Sequence, residues 1–284
     1  MEDEKREFRV GTIGDTLSGK TVLISCLEKD LEGVFFSGSD QYSNDWLKLA
    51  RERMGHGLLV AGTDPNIKNP PMLEFLITGP QLKKTRRNSQ AVITAYDLAG
   101  VHYRNPEDKL LEFLHTCQGY IILIDLIADV SNQLTFYDNL FGRLLEESPS
   151  FNGKRLSVCL TKYDDPEVLQ RIDAQKLLTQ NSSKGLLVSI NGSQHEGSIE
   201  LLGKLDLDNA KRFITNVGIL FGGENIRFFS VSSIGFYRCE GKVQLGSCNN
   251  LVILDNGESR LRNGRNYTPV NLEPALTWAM GGGE

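Results

Sequence analysis

Eight consecutive residues, Gly14-Asp15-Thr16-Leu17-Ser18-Gly19-Lys20-Thr21, fit the pattern G-x-x-x-x-G-K-[ST]. Glycines at its two ends let the backbone curl until successive N–H groups converge on one anion, and a helix that starts at Lys20 adds its partial positive charge. Lys20 would bridge β- and γ-phosphate oxygens, Thr21 would place its hydroxyl on Mg²⁺, and Val22 continues the same turn. A second group is Tyr96-Asp97-Leu98-Ala99-Gly100, which follows an apolar strand. Asp97 there would hold the metal through water, and Gly100 would offer its N–H to a γ-phosphate. A third is Thr161-Lys162-Tyr163-Asp164, again directly after a strand. The Asp164 carboxylate can accept hydrogen bonds from guanine N1–H and the exocyclic amine, which adenine cannot supply, with the Lys162 stem over the purine face. A fourth, Val231-Ser232-Ser233, would turn backbone N–H groups toward the guanine carbonyl.

Taken singly, D-x-x-G is a common turn, T-K-x-D is a weak pattern and Ser232-Ser233 is uninformative. Their order decides. All four groups fall at the C-terminal ends of successive strands, the edge where α/β sheets bind ligands.

The elements that must position them are legible as alternating patterns. Strands are expected at Phe8–Ile13, Met72–Thr78, Ala91–Tyr96, Tyr120–Ile124, Arg155–Leu160 and Ile226–Val231. Helices are expected at Lys20–Leu31, Asn105–Thr116, Leu134–Glu147, Pro166–Leu178, Asp206–Val217 and Leu272–Met280. Strands separated by helices imply right-handed βαβ units and a largely parallel sheet. No helix separates Met72–Thr78 from Ala91–Tyr96, so that pair is expected to run antiparallel. The reading is one domain over residues 1–284, with a core at about 8–233, insertions at about 37–57 and 182–203, and an extension with hairpin and helix character at 234–284.

Composition bounds the partners. The 284 residues include 31 basic and 36 acidic side chains, a net charge of −5, which disfavours general binding to a nucleic-acid backbone. Five widely spaced cysteines without a C-x-x-C pair read as reduced thiols in a cytoplasmic protein rather than a disulfide framework or zinc site. Met1–Arg9 is charged and has no signal-peptide core, and the most apolar run, Tyr120–Val130, is too short to span a bilayer. His56, His115 and His195 lack companion ligands at metal spacing, and Lys83, Lys84, Arg86 and Arg87 read as a solvated hairpin tip.

With these motifs the chain resembles the TRAFAC class of P-loop GTPases over about Phe8 to Ser233. That resemblance implies a Ras-like, mostly parallel α/β sheet flanked by helices, GTP/GDP and Mg²⁺ as ligands, slow hydrolysis and a protein effector or activator. The loop Ser18-Gly19-Lys20-Thr21, the segment Tyr96–Gly100 and the closing Val270–Trp278 are similar to bacterial double-GTPase proteins of conflict systems. Two positions depart from the class. Val101 stands where many members carry a polar, water-orienting residue, leaving His102 as the candidate for that role; Thr161 replaces the Asn that ties the base loop to the phosphate loop. Thr63 is the candidate switch threonine, because it precedes the strand at Met72, and is expected to serve both metal binding and catalysis beside Lys20. A GTP-binding interaction module with negligible hydrolysis is the alternative, and a P-loop ATPase or kinase a weaker one.

Overall fold

A computed structural model describes residues 8–15, 18–31, 35–60, 72–78, 90–96, 108–147, 151, 153–172, 178–181, 185–190, 193–240, 242–244 and 249–282. The continuous apolar runs form the sheet's centre. Strands β1 (Phe8–Gly14), β5 (Gly119–Asp125) and β6 (Arg155–Thr161) are buried almost throughout, as a sheet covered on both faces requires. β1 lies parallel to β5, β5 to β6, and β6 to β9 (Ile226–Val231). On the other side β1 is parallel to β4 (Gln90–Tyr96), which pairs antiparallel with β3 (Met72–Thr78) from Met72↔Tyr96 to Thr78↔Gln90. A short antiparallel edge, β2 (Phe35–Gly38), completes a seven-stranded, mostly parallel sheet of order β2-β3-β4-β1-β5-β6-β9.

Period-two alternation sorts the strand side chains into two cores. Tyr120, Ile122 and Ile124 face one core with α3 (Asp108–Thr116), α4 (Val130–Glu147), α6 (Gln194–Leu205) and α7 (Leu207–Phe221). Ile121 and Leu123 face the other with α1 (Lys20–Asp30), α2 (Gln41–Gly55) and α8 (Leu272–Ala279).

Two segments differ from the sequence expectation. The helix expected at Pro166–Leu178 ends as α5 (Pro166–Arg171), since Ile172 is extended and its side chain is buried; Leu178 instead opens β7 (Leu178–Asn181), paired with β8 (Gly185–Val188). The Ser/Gly-rich stretch at 182–203 contains most of α6. Ser193 accepts the Glu196 N–H as its N-cap, Gly197 lies against the Ser189 backbone, and the Ser198 hydroxyl bonds that of Ser230 at 2.9 Å. Small residues there serve close packing.

Between β9 and α8 the chain makes two hairpins, β10 (Arg238–Cys239) with β11 (Lys242–Val243) and β12 (Leu251–Ile253) with β13 (Ser259–Leu261). The second hairpin reaches the end of α2: Leu59 N–H donates to Ser259 O at 3.0 Å and Leu261 N–H to Gly57 O at 2.7 Å. Helix α8 packs backbone-close on the sheet, with Ser157 Oγ donating to Ala275 O at 2.6 Å, and a Cβ on Gly119 would collide with the Ala279 carbonyl. Among the described residues no helix is long and apolar enough to cross a membrane.

Candidate functional site

The turn from β1 into α1 is built around two glycines. Gly19 has φ +95°, a left-handed conformation that costs an L side chain energy. A Cβ on Gly14 would run into Ser18 Oγ and press on Leu123 Cβ and Lys20 Cγ. The Lys20 ammonium folds back over the turn, donating to Gly14 O at 2.6 Å and Asp15 O at 3.0 Å, while Ser18 N–H closes the turn on Asp15 O at 3.2 Å. Lys20 and Thr21 are both buried, and the buried Ser18 hydroxyl has no hydrogen-bond partner among the described residues. Val22 packs toward the α1–α8 core. Beneath the turn, the Tyr137 hydroxyl donates to Leu123 O at 2.5 Å, joining α4 to the end of β5.

Across the sheet edge, Thr161 Oγ1 lies 3.1 Å from Ser18 O and 3.2 Å from Ile124 O, so its single proton is shared between two carbonyls. This contact ties the end of β6 to the β1–α1 turn. Lys162 takes φ +61°, and its ammonium meets Asp125 Oδ2 at 2.5 Å. Asp125 is held in place by Gln133 of α4, which accepts the Asp125 N–H at 2.8 Å and donates to the Asp125 carbonyl at 2.9 Å. The Tyr163 ring is fully buried, edge-on to Phe236 at 5.5 Å.

The Asp164 carboxylate is buried, which pushes its pKa up to about 6; a hydrogen bond from the Ser232 hydroxyl pulls the other way. That same hydroxyl accepts Gly235 N–H at 2.8 Å. The Ser232 N–H donates to Val270 O at 3.1 Å, whereas the Ser233 N–H makes no hydrogen bond among the described residues. Ser232 is therefore committed to shaping the loop, and Ser233 carries the unspent amide.

The ends of β1, β6 and β9 thus bring together Gly14, Asp15, Ser18, Gly19, Lys20, Thr21, Thr161, Lys162, Asp164, Ser232 and Ser233. Thr16, Leu17, Thr63, Asp97, Gly100, Val101 and His102 lie outside the described residues, as do Lys83, Lys84, Arg86, Arg87 and Cys248. His195 Nδ1 accepts the Phe228 N–H at 3.0 Å, a packing role. Among the described residues no group of three or more His, Cys, Asp or Glu side chains could hold a metal ion.

Sequence reasoning missed Asp125, Gln133 and Tyr137. Asp125 alone left a trace, as an acid inside an otherwise apolar run.

No protein-family model and no curated protein matches the chain. Among solved structures it is similar to the Ski7 GTPase-like domain of S. cerevisiae, bound to GTP, at 13% identity and TM-score 0.46, over 84% of this chain and 47% of that one. It is also similar to the bacterial selenocysteine-specific elongation factor EF-Sec, at 15% identity and TM-score 0.39, over 80% of this chain and 26% of that one. A third is the small GTPase Arl6 BBS3 of Trypanosoma brucei with a bound nucleotide analogue, at 13% identity and TM-score 0.32, over 80% and 87%. The chain thus spans about half of the Ski7 chain and a quarter of the elongation factor.

Proposed function

We propose that this chain binds Mg²⁺–GTP across the ends of β1, β6 and β9 and hydrolyses it slowly as a partner-regulated switch. One observation carries the reading: Thr161 joins the Lys20-bearing turn to the strand end that presents buried Asp164, so an anion cradle and a base-reading carboxylate share one frame. In that frame the loop amides and Lys20 hold the β- and γ-phosphates, and the two carbonyls that now accept the ammonium keep it aimed at them. Asp164 accepts the guanine N1–H and amine, and Ser233 N–H meets the guanine carbonyl.

Buried Thr21 at the first turn of α1 and the Ser18 hydroxyl, which has no partner among the described residues, fit a metal–triphosphate; Thr21 would hold Mg²⁺, with Asp97 and Thr63 assigned to it from the motifs. Bound there, the ion would neutralise charge on the phosphate oxygens. His102 is assigned the attacking water, and a protein activator the remainder of the catalytic set. The likeness to double-GTPase proteins of conflict systems suggests the setting.

Calorimetry with Mg²⁺ tests the reading. GTP is expected to bind far more tightly than ATP, Asp164→Ala to abolish that preference, and Lys20→Ala to remove most affinity for either. Equal affinities, or a Lys20→Ala protein binding at full strength, would reject it. Val101 favours the second reading, a GTP-binding module without turnover. Single-turnover phosphate release separates the two.

A further inference from the structure

The two base-site loops belong to different strands, yet one pair of adjacent residues outside both of them touches each. Asn249 Nδ2 donates to Asp165 Oδ2 at 2.8 Å, in the turn that presents Asp164 and that Asp165 N–H closes on Lys162 O at 3.0 Å. Asn250 Nδ2 donates to Ile234 O at 2.8 Å, in the loop that presents Ser233. Asn250 is fully buried; its Oδ1 accepts Asn263 N–H at 2.9 Å and its carbonyl accepts Arg262 N–H at 3.1 Å. Asn263 in turn donates to Phe236 O at 3.2 Å. The β12–β13 hairpin therefore holds both loops through side-chain amides.

A buried Asn costs free energy that a leucine of similar size would not, so its use here needs a geometric reason. Guanine offers such a reason. Its N1–H and 2-amine donors and its 6-oxygen acceptor sit side by side on one edge, and two loops can meet both kinds of group only if their separation is set to within about 0.5 Å. We propose that Asn249 and Asn250 are positioning residues for base selection: Asn249 holds the Asp164 turn, and Asn250 holds the Ser233 amide at the 6-oxygen. The proposal rests on the guanine reading above.

Two analogues separate positioning from mere support. In 6-thio-GTP only the 6-position acceptor is altered, and in ITP only the 2-amine is missing. Wild-type protein is expected to prefer GTP over both in calorimetric titrations with Mg²⁺. Asn250→Ala is expected to lose about tenfold in GTP affinity while 6-thio-GTP falls much less, so that their ratio collapses. Asn249→Ala, which removes a contact nearer the surface and spares the fold, is expected to narrow the GTP:ITP ratio instead. If each variant weakens GTP and its analogue by the same factor, or changes neither, the pair does not position the base and the proposal is overturned. Should Asn250→Ala fail to fold, an unchanged GTP:ITP ratio in Asn249→Ala overturns it alone. Equal wild-type affinity for GTP and ATP would instead reject the guanine reading itself.

Discussion

Asp164 is the residue whose energetics are easiest to measure. Its carboxyl titrates at about 6 in the folded chain because burial penalises the charge, against ~3.9 in an unfolded one. The folded state therefore holds the proton more tightly. The stability this supplies is complete below pH ~4 and is lost as pH rises through about 6, a swing of about 3 kcal/mol at most. Asp164→Asn is expected to make the ligand-free protein more stable at pH 7.5 and to flatten its stability between pH 4 and 7, read from urea melts at several pH values. Superimposable wild-type and variant curves would show that the carboxylate does not carry this cost. Under the proposed guanine reading, ligand binding has the opposite sign, since only the ionised group would accept both base donors. GTP affinity is expected to fall about tenfold per pH unit below about 6 in wild type and to stay level in Asp164→Ala. A buried carboxylate that opposes stability at neutral pH is the pattern expected of the base-reading role proposed for Asp164.

At the scale of elements, the β1–α1 turn is the most constrained piece of backbone in the site. Gly14→Ala is expected to abolish nucleotide binding while leaving far-UV circular dichroism nearly unchanged, because the added methyl collides hardest with Ser18 inside the turn and only presses on Leu123 of β5 and on Lys20. Retained binding would mean the turn has room the geometry denies. This turn was legible in the sequence because its constraints are local: two glycines, a lysine and a threonine at fixed spacing. The central strands were legible because burial on both faces demands unbroken apolar runs such as Tyr120–Ile124. Helix α6 was not, since its Ser and Gly residues score poorly for helix and sit there to let Gly197 and Ser198 approach neighbouring chain. The hairpin's hold on the base loops was equally hidden. Asn249 and Asp165 are 84 positions apart, and asparagine in a turn-rich stretch carries no signal of a distant partner.

At the scale of the whole molecule α8 closes the sheet, and the central carbons of the Arg155 and Arg227 guanidinium groups lie 4.1 and 4.3 Å from the centre of its Trp278 ring. Trp278→Ala is expected to cost about 3–5 kcal/mol in urea unfolding, and a loss below 1 kcal/mol would show that the stack is ornamental. The helix is also anchored at its start, where Asp30 of α1 accepts the Glu273 N–H at 2.8 Å and Asn271 donates to Ser230 O at 2.9 Å. Its Leu272, Ala275, Leu276 and Ala279 cover the same core as Ile121, Leu123, Cys159 and Val231, which come from strands made much earlier in synthesis. A nascent chain emerging from the ribosome therefore carries an apolar trough down the middle of its sheet until residue 280 or so is free. Every strand that presents a loop of the proposed site has by then been translated, yet one flank of that sheet still waits for the last of its cover, a window in which chaperone capture competes with completion.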